Sequence, residues 1–318
     1  MARAIAGWLA RSTLLLAGAA LLTFTLLRLA PGDPAAVLLG AAGDQAVGDQ
    51  AGAQLGAARL RAELGLDQPA PVQFARWVGR MLRLDFGVSF RSRQPVGAEL
   101  ARRFPATALL AAAAFAIHAL LAIGAGVVAT LRAGRWPDRL TRAAAVLLAA
   151  VPGFVLAWLG LRFFTTTLPW YDLTGPASLR RLWLPALVLG LLATPALMRV
   201  VRASLLAELG QLYMLLGRAG GIGRTRLVLT HALRNALLPV IALLGMNLSG
   251  LLSGAVVIET IFSWPGIGRY AVESMLARDY PVVQGYVLLV TALVIAVTGL
   301  TDLAGRWLDP RLRHQEGL

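Results

Sequence analysis

Six apolar runs, each close to twenty residues long, constrain this chain more than any other feature. They fall at about residues 8–30, 106–130, 143–161, 182–198, 237–258 and 282–303 of 318. A helix needs about 20 apolar residues to cross the hydrocarbon core of a bilayer. Helices also satisfy their own backbone groups where no water can. Only 14% of the residues are charged, against roughly a quarter in soluble domains. The expected fold class is an all-α integral membrane protein with six transmembrane helices. The first run begins like a signal peptide, with Arg3 and Arg11 at its start. It is long for a signal core and lacks a small-residue cleavage site before Pro31-Gly-Asp-Pro34, so it reads as an uncleaved span.

Arginine placement sets the expected orientation. One side collects Arg3, Arg11, Arg132, Arg135, Arg139, Arg142, Arg199, Arg202, Arg218, Arg224, Arg226, Arg234, Arg306, Arg311 and Arg313. The opposite short loops hold Arg162, Arg180, Arg181, Arg269 and Arg278. Short loops rich in arginine stay in the cytoplasm, which puts both termini there. The chain then divides into a first span with its cytoplasmic tip (1–30), an extracytoplasmic region (31–104) and a five-helix core (105–318). Within the external region, 55–64 and 72–84 have the spacing of amphipathic helices, broken by Pro69 and Pro71.

Residue types that are missing exclude several chemistries. All 30 basic residues are arginine, so no P-loop, Schiff-base or general-base lysine exists. Any nucleotide hydrolysis must come from another polypeptide. There is no cysteine, and hence no thiolate site or disulfide. The net charge of +14 is spread along the flanks of apolar runs rather than gathered in a patch, which argues against nucleic acid. No zinc-protease or serine-elbow motif occurs, and no catalytic centre or metal site is expected. Few polar groups enter the spans: His118, Asn247 and, near an end, Asp302. A lone intramembrane histidine reads as hydrogen-bonded core rather than a proton relay.

Several spans are imperfect rods. Pro152-Gly153 interrupts the third and Pro185 and Pro195 lie in the fourth. Such breaks either line a path or are tolerated kinks at helix contacts. The fifth carries Gly245-x-x-x-Ser249 and Gly250-x-x-x-Gly254, spacings that permit close helix approach.

The segment between the fourth and fifth spans, about 204–236, is too polar to cross. Leu205, Leu209, Leu212 and Leu216 form a helical stripe, closed by Gly220-Gly-Ile-Gly223. Arg224, Arg226, His231, Arg234 and Asn235 follow. A short helix with a glycine turn suits the groove of a partner protein. It suits equally a loop resting on headgroups through its arginines.

The run Thr230-His-Ala-Leu-Arg-Asn-Ala-Leu-Leu-Pro239, with Arg218-Ala-Gly-Gly221 before it, resembles the signature loop of ABC-importer permeases. The branch it is most similar to serves dipeptides, oligopeptides and nickel. Further matches are Leu27-Arg-Leu-Ala-Pro-Gly-Asp-Pro34, the run from Leu60 to Pro69, Asp85-Phe-Gly-Val-Ser-Phe90, Glu259-Thr-Ile-Phe-Ser-Trp-Pro-Gly-Ile-Gly268, Arg278-Asp-Tyr-Pro-Val-Val-Gln284 and Leu308-Asp-Pro-Arg311. The resemblance implies a MetI-like permease fold with an extra N-terminal span and a cytoplasmic coupling helix. It implies a bacterial or archaeal cytoplasmic membrane, with a second homologous permease, two ATPase subunits and an extracytoplasmic substrate-binding protein as partners. The chain itself would need no cofactor, since ATP and Mg are held by the ATPases. Tyr213, Arg218, Gly221, Arg224 and Arg234 would then couple to the ATPase. Glu259, Trp264, Pro265, Gly266 and Gly268 would form an external gate region, with interfacial anchoring as the other reading for Glu259 and Trp264. Cargo would be di- or oligopeptides, or by the same machinery nickel, glutathione or oligosaccharide. An autonomous secondary transporter would need midplane carboxylates that the spans lack. The chain departs from the resemblance at Leu212, Leu215 and Gly220, where charged residues are usual, and in a short loop over 165–181.

Overall fold

The computed structural model describes residues 2–29 and 67–308. Helices make up nearly all of it: α1 (Ala2–Leu29), α2 (Ala70–Met81), α3 (Val96–Leu131), α4 (Trp136–Ala150), α5 (Gly153–Arg162), α6 (Leu179–Leu209), α7 (Leu212–Ala219), α8 (Arg224–Arg226), α9 (Leu233–Ile261), α10 (Ile267–Leu276) and α11 (Tyr280–Leu308). Wider π-helical turns follow α5 (Phe163–Thr167) and α8 (Leu227–Ala232). The expected helix at 55–64 and the motifs at 31–34 and 309–311 lie outside the described residues, as does the side chain of Asp302.

Among the described residues five helices are long and apolar enough to cross a membrane. The third apolar run is divided at Pro152-Gly153 between α4 and α5, which meet at 100°; counted as one broken span they make a sixth crossing. The break is sharp because Pro152 offers no N–H to continue α4, and extended backbone at Val151 precedes it. Pro185 and Pro195, by contrast, interrupt nothing: α6 runs through both as one 31-residue helix, and both are buried in it. Neighbouring helices packed around these positions carry the helix through where local propensity would end it.

Contacts divide the chain into two units. The first comprises 1–105 and 266–293. In it α2 starts at Pro69-Ala-Pro71, where proline in the first turn costs no hydrogen bond. Phe24 of α1 stacks edge-on with Phe74 at 5.3 Å, and Trp77 completes the aromatic cluster. Asp279 is buried and gathers the 85–95 loop. It accepts hydrogen bonds from Ser89 Oγ at 2.5 Å and from the amides of Phe90 and Arg91 at 3.0 and 3.3 Å. Val96, Leu100, Ile267, Tyr270 and Val282 form the core of this unit.

The second unit comprises 106–265 and 294–318. Its centre is α6, whose apolar side chains enter both of the unit's cores. Helices approach closely at glycines: a Cβ on Gly190 would stand 2.8 Å from the Ala114 carbonyl of α3, and one on Gly126 2.6 Å from Val201 of α6. Of the small residues singled out in α9, Gly245 is used this way, against Thr301 of α11. A Cβ on Gly250 would meet nothing within 4 Å. Large apolar side chains such as Leu14, Leu22 and Leu120 face outward, as a lipid solvent allows.

Candidate functional site

Within the second unit α3 and α9 run antiparallel, and polar contacts join α3 to α9 or to the segments flanking it at three levels. Near one end, Thr107 Oγ1 donates to Glu259 Oε1 at 2.6 Å, and the Trp264 indole N–H donates to the Ala106 carbonyl at 2.9 Å. At mid-height Asn247 Nδ2 lies 3.1 Å from His118 Nε2. At the other end Arg224, which opens α8, donates to the Thr130 carbonyl at 2.9 Å.

That last end holds the sequence motif around Gly221. The leucine stripe expected on one helix is divided between two: α6 stops at Leu209, Gly210 and Gln211 turn the chain, and α7 begins at Leu212. The consequence is a change of face. Leu205 and Leu209 are buried in the core. Leu212, Leu215 and Leu216 are 71%, 52% and 65% exposed. Met214 alone on α7 is buried, anchoring the helix on Leu205, Leu209 and Leu227. Gly217 lets Leu227 approach, since a Cβ there would meet its Cδ2 at 2.8 Å.

Gly221 closes α7 in the left-handed region at φ +84°. Its neighbours satisfy the helix end, Gly220 N–H to Leu216 O, Gly221 N–H to Arg218 O and Ile222 N–H to Gly217 O. Tyr213 is tied at its hydroxyl, which donates to Glu208 Oε2 at 2.5 Å and accepts from Asn235 Nδ2 at 2.9 Å. Partial desolvation raises its phenol above the ordinary value, and the Glu208 hydrogen bond pushes the same way.

The five residues singled out here therefore serve differently. Tyr213 and Gly221 shape the segment. Arg224 is engaged inside the chain, putting a cation on the C-terminal turn of α3, which has no basic residue of its own. Arg218 and Arg234 are exposed, and their guanidinium groups form no hydrogen bond or ion pair among the described residues.

Sequence reasoning overlooked Asp138. Its side chain, 1% exposed, accepts a two-pronged contact from Arg202 of α6 at 2.8 and 2.9 Å. Gly134 N–H donates to it at 2.9 Å, and Arg142 stands 3.3 Å away. The signal was present: Trp136-Pro-Asp138 has proline and an acid in the first turn of a helix. Asp138→Asn keeps the shape and loses the charge; since hydrogen bonds to ions contribute about 1.5–3 kcal/mol each, a loss of about 2 kcal/mol is expected. A lower melting temperature of the purified protein would show it, and an unchanged one would contradict this role.

At the opposite end of the unit Arg181 was expected only as a loop charge, yet it is 4% exposed. Its guanidinium meets the carbonyls of Asp172, Leu173, Gly175 and Pro176, and those of Phe262 and Ser263 at 3.3 and 3.2 Å. Burial pushes the neighbouring Tyr171 phenol up to about 12. Hydrogen bonds from Thr174 hold the exposed Asp172 carboxyl below its usual value. Ser263, at φ +49°, turns the chain sharply after α9, and Trp264 N–H closes the turn on Glu259 O at 2.8 Å. Glu259 and Trp264 are completely buried and bonded to α3, so interfacial anchoring does not describe them. Pro265 ends this unit; Gly266 and the buried Gly268, at the start of α10, belong to the other.

Comparison with known proteins identifies the family. Residues 120–314 match the family described as binding-protein-dependent transport system inner membrane component, and 1–111 match the N-terminal family of such membrane components. A glutathione transport system permease protein, GsiC, of Salmonella paratyphi A is 37% identical over 296 residues, covering 93% of this chain and 94% of that one. Its counterpart in Escherichia coli K12 is 35% identical, covering 92% and 93%. A chain of the inward-facing MetNI methionine ABC transporter superposes with a TM-score of 0.52 at 17% identity, covering 66% of this chain and 96% of that one, which speaks to the fold alone. The chain belongs to the binding-protein-dependent transport family: it is an inner-membrane permease of ABC importers in the dipeptide, oligopeptide and nickel group, and the ATPase is a separate subunit.

Proposed function

We propose that this permease forms half of a pore for small peptides and couples it to a cytoplasmic ATPase through α7. The observation that carries the coupling is a short helix with one buried anchor, Met214, and an outward face of Leu212, Leu215 and Leu216, closed by a left-handed glycine. Amphipathic helices of this kind lay their apolar face in a groove. In this reading the loop lies in the cytoplasm with both termini, and Arg218 and Arg234 face the ATPase surface. Arg224 passes motion of the loop to the end of α3. Glu259 and Trp264 hold the outer end of the same helix, as part of an external gate with Pro265, Gly266 and Gly268. A second permease completes the pore, and a substrate-binding protein delivers cargo. ATP-driven closure then shifts a bistable bundle between two access states.

Peptide cargo is supported by the relatives named for glutathione, itself a tripeptide. Nickel and oligosaccharide have no comparable observation behind them. Mild detergent extraction of the tagged chain from its native membrane, with mass spectrometry of what accompanies it, tests the assembly. A second permease and a Walker-A ATPase are the expected companions. A chain that extracts alone and moves solute in liposomes without ATP would overturn the reading. Within the recovered complex, Leu215→Arg is expected to lower ATPase recovery at least tenfold while the chain stays in the membrane; full recovery would remove α7 from the contact.

A further inference from the structure

We infer that Asn247 is a cargo-contacting residue that binds a peptide-bond amide at the middle of the membrane, with His118 positioning it. The inference rests on the peptide reading above and names the group through which that cargo is felt inside the bundle.

Three observations converge. The first is a cavity of about 450 Å³ in the second unit, walled mainly by Phe154, Leu189, Leu192, Leu251, Val257 and Ile258. Asn247 is its one amide, and no charged side chain lines it. Gly153, Gly250 and Gly254 complete the lining; a Cβ on Gly153 would stand 2.9 Å from Leu192 Cδ1, and one on Gly250 would meet nothing within 4 Å.

The second is depth. His118 stands eleven residues from Thr107 and twelve from Thr130 along α3. At 1.5 Å per residue it lies about 16 and 18 Å from the polar contacts at the two ends of α3 in this unit. With a hydrocarbon core of about 30 Å, Asn247 and His118 sit near its centre. A polar pair there is costly to keep and is a functional candidate by default.

The third is the hydrogen bonding itself. An amide nitrogen only donates, so the 3.1 Å contact makes His118 Nε2 the acceptor and puts the ring proton on Nδ1. His118 is wholly buried, and its Nδ1 has no partner among the described residues. A histidine kept there at the cost of an unsatisfied donor is explained by what it does for Asn247. It fixes the amide of a residue that lines the cavity, and Oδ1 and the second N–H have no other partner among the described residues. That is one acceptor and one donor, both neutral, which match the N–H and C=O of a peptide bond, and no charged side chain stands beside them to balance a metal cation or a phosphate.

The test compares an alanine tripeptide with the same peptide N-methylated on its backbone, as maximal uptake by the complete transporter with the binding protein saturated. Wild type is expected to carry the unmethylated peptide about fivefold faster, the factor one neutral hydrogen bond supplies. Asn247→Leu and His118→Leu should bring that ratio close to one. His118→Gln, whose side-chain oxygen reaches the position of Nε2, should restore it. A ratio unmoved by Asn247→Leu at normal membrane level overturns the inference, and so does an equal fall for both peptides in every variant, which marks a purely structural pair. A wild-type transporter that carries neither peptide removes the peptide reading and this inference with it; one that carries both with an unmoved ratio removes this inference alone.

Discussion

Gly221→Val should reduce ATP-driven uptake at least tenfold while leaving the amount of permease in the membrane near that of wild type. Nothing stands within 4 Å of where the new Cβ would be, so the effect cannot come from a clash. It comes from the backbone. At φ +84° an L-residue crowds its Cβ against a neighbouring backbone carbonyl, at a cost of about 1–2 kcal/mol, and a β-branched residue is a true outlier there. The chain escapes by leaving that conformation, which undoes the Ile222-to-Gly217 closure of α7. The helix would then lose the orientation that turns Leu212, Leu215 and Leu216 outward, while Met214 and the spans stay packed. Gly221→Asn separates these causes, because asparagine tolerates the left-handed region. It should retain most of the uptake. Wild-type uptake in the valine variant would remove this turn from the coupling path.

Trp264→Ala should produce the largest loss of stability. The indole is entirely buried among the aromatic and aliphatic residues of one core, beside Phe262 and Ile258. Truncating a buried tryptophan costs about 3–5 kcal/mol in transfer and cavity energy. The Ala106 carbonyl also loses its donor, worth about 1 kcal/mol. Trp264→Phe keeps most of the volume and should lose mainly the hydrogen-bond share. Thermal unfolding of the detergent-solubilised protein reads both: a large drop for alanine and a small one for phenylalanine. Equal melting temperatures for wild type and Trp264→Ala would mean that this turn carries no weight in the fold.

Trp264 and Gly221 also show what could be read in advance. Gly221 was legible as a turn because glycine after a helical stretch has a local cause. Trp264 was singled out from its motif, yet its choice between lipid interface and core depended on where the Ala106 carbonyl of α3 arrives, 158 positions earlier. Asp138 escaped attention because an acid among arginines reads as a surface charge until Arg202, 64 positions later, closes on it. The leucine stripe from Leu205 to Leu216 was misassigned to one helix because a periodic pattern survives a turn of two residues, Gly210 and Gln211, without a visible break.

The sequence by itself determined the solvent, the number of apolar runs, the absence of any nucleotide or thiol chemistry and the motif that marks the family. These follow from composition, run length and order, which need no partner in space. The tertiary structure decided which prolines break a span and which are carried through, which arginines cap carbonyls and which stay free, and that His118 and Asn247 meet. In each case the energy resides in a contact between residues far apart in the chain. A buried polar group is tolerable only where the fold brings its partner, and no local pattern states where that will be.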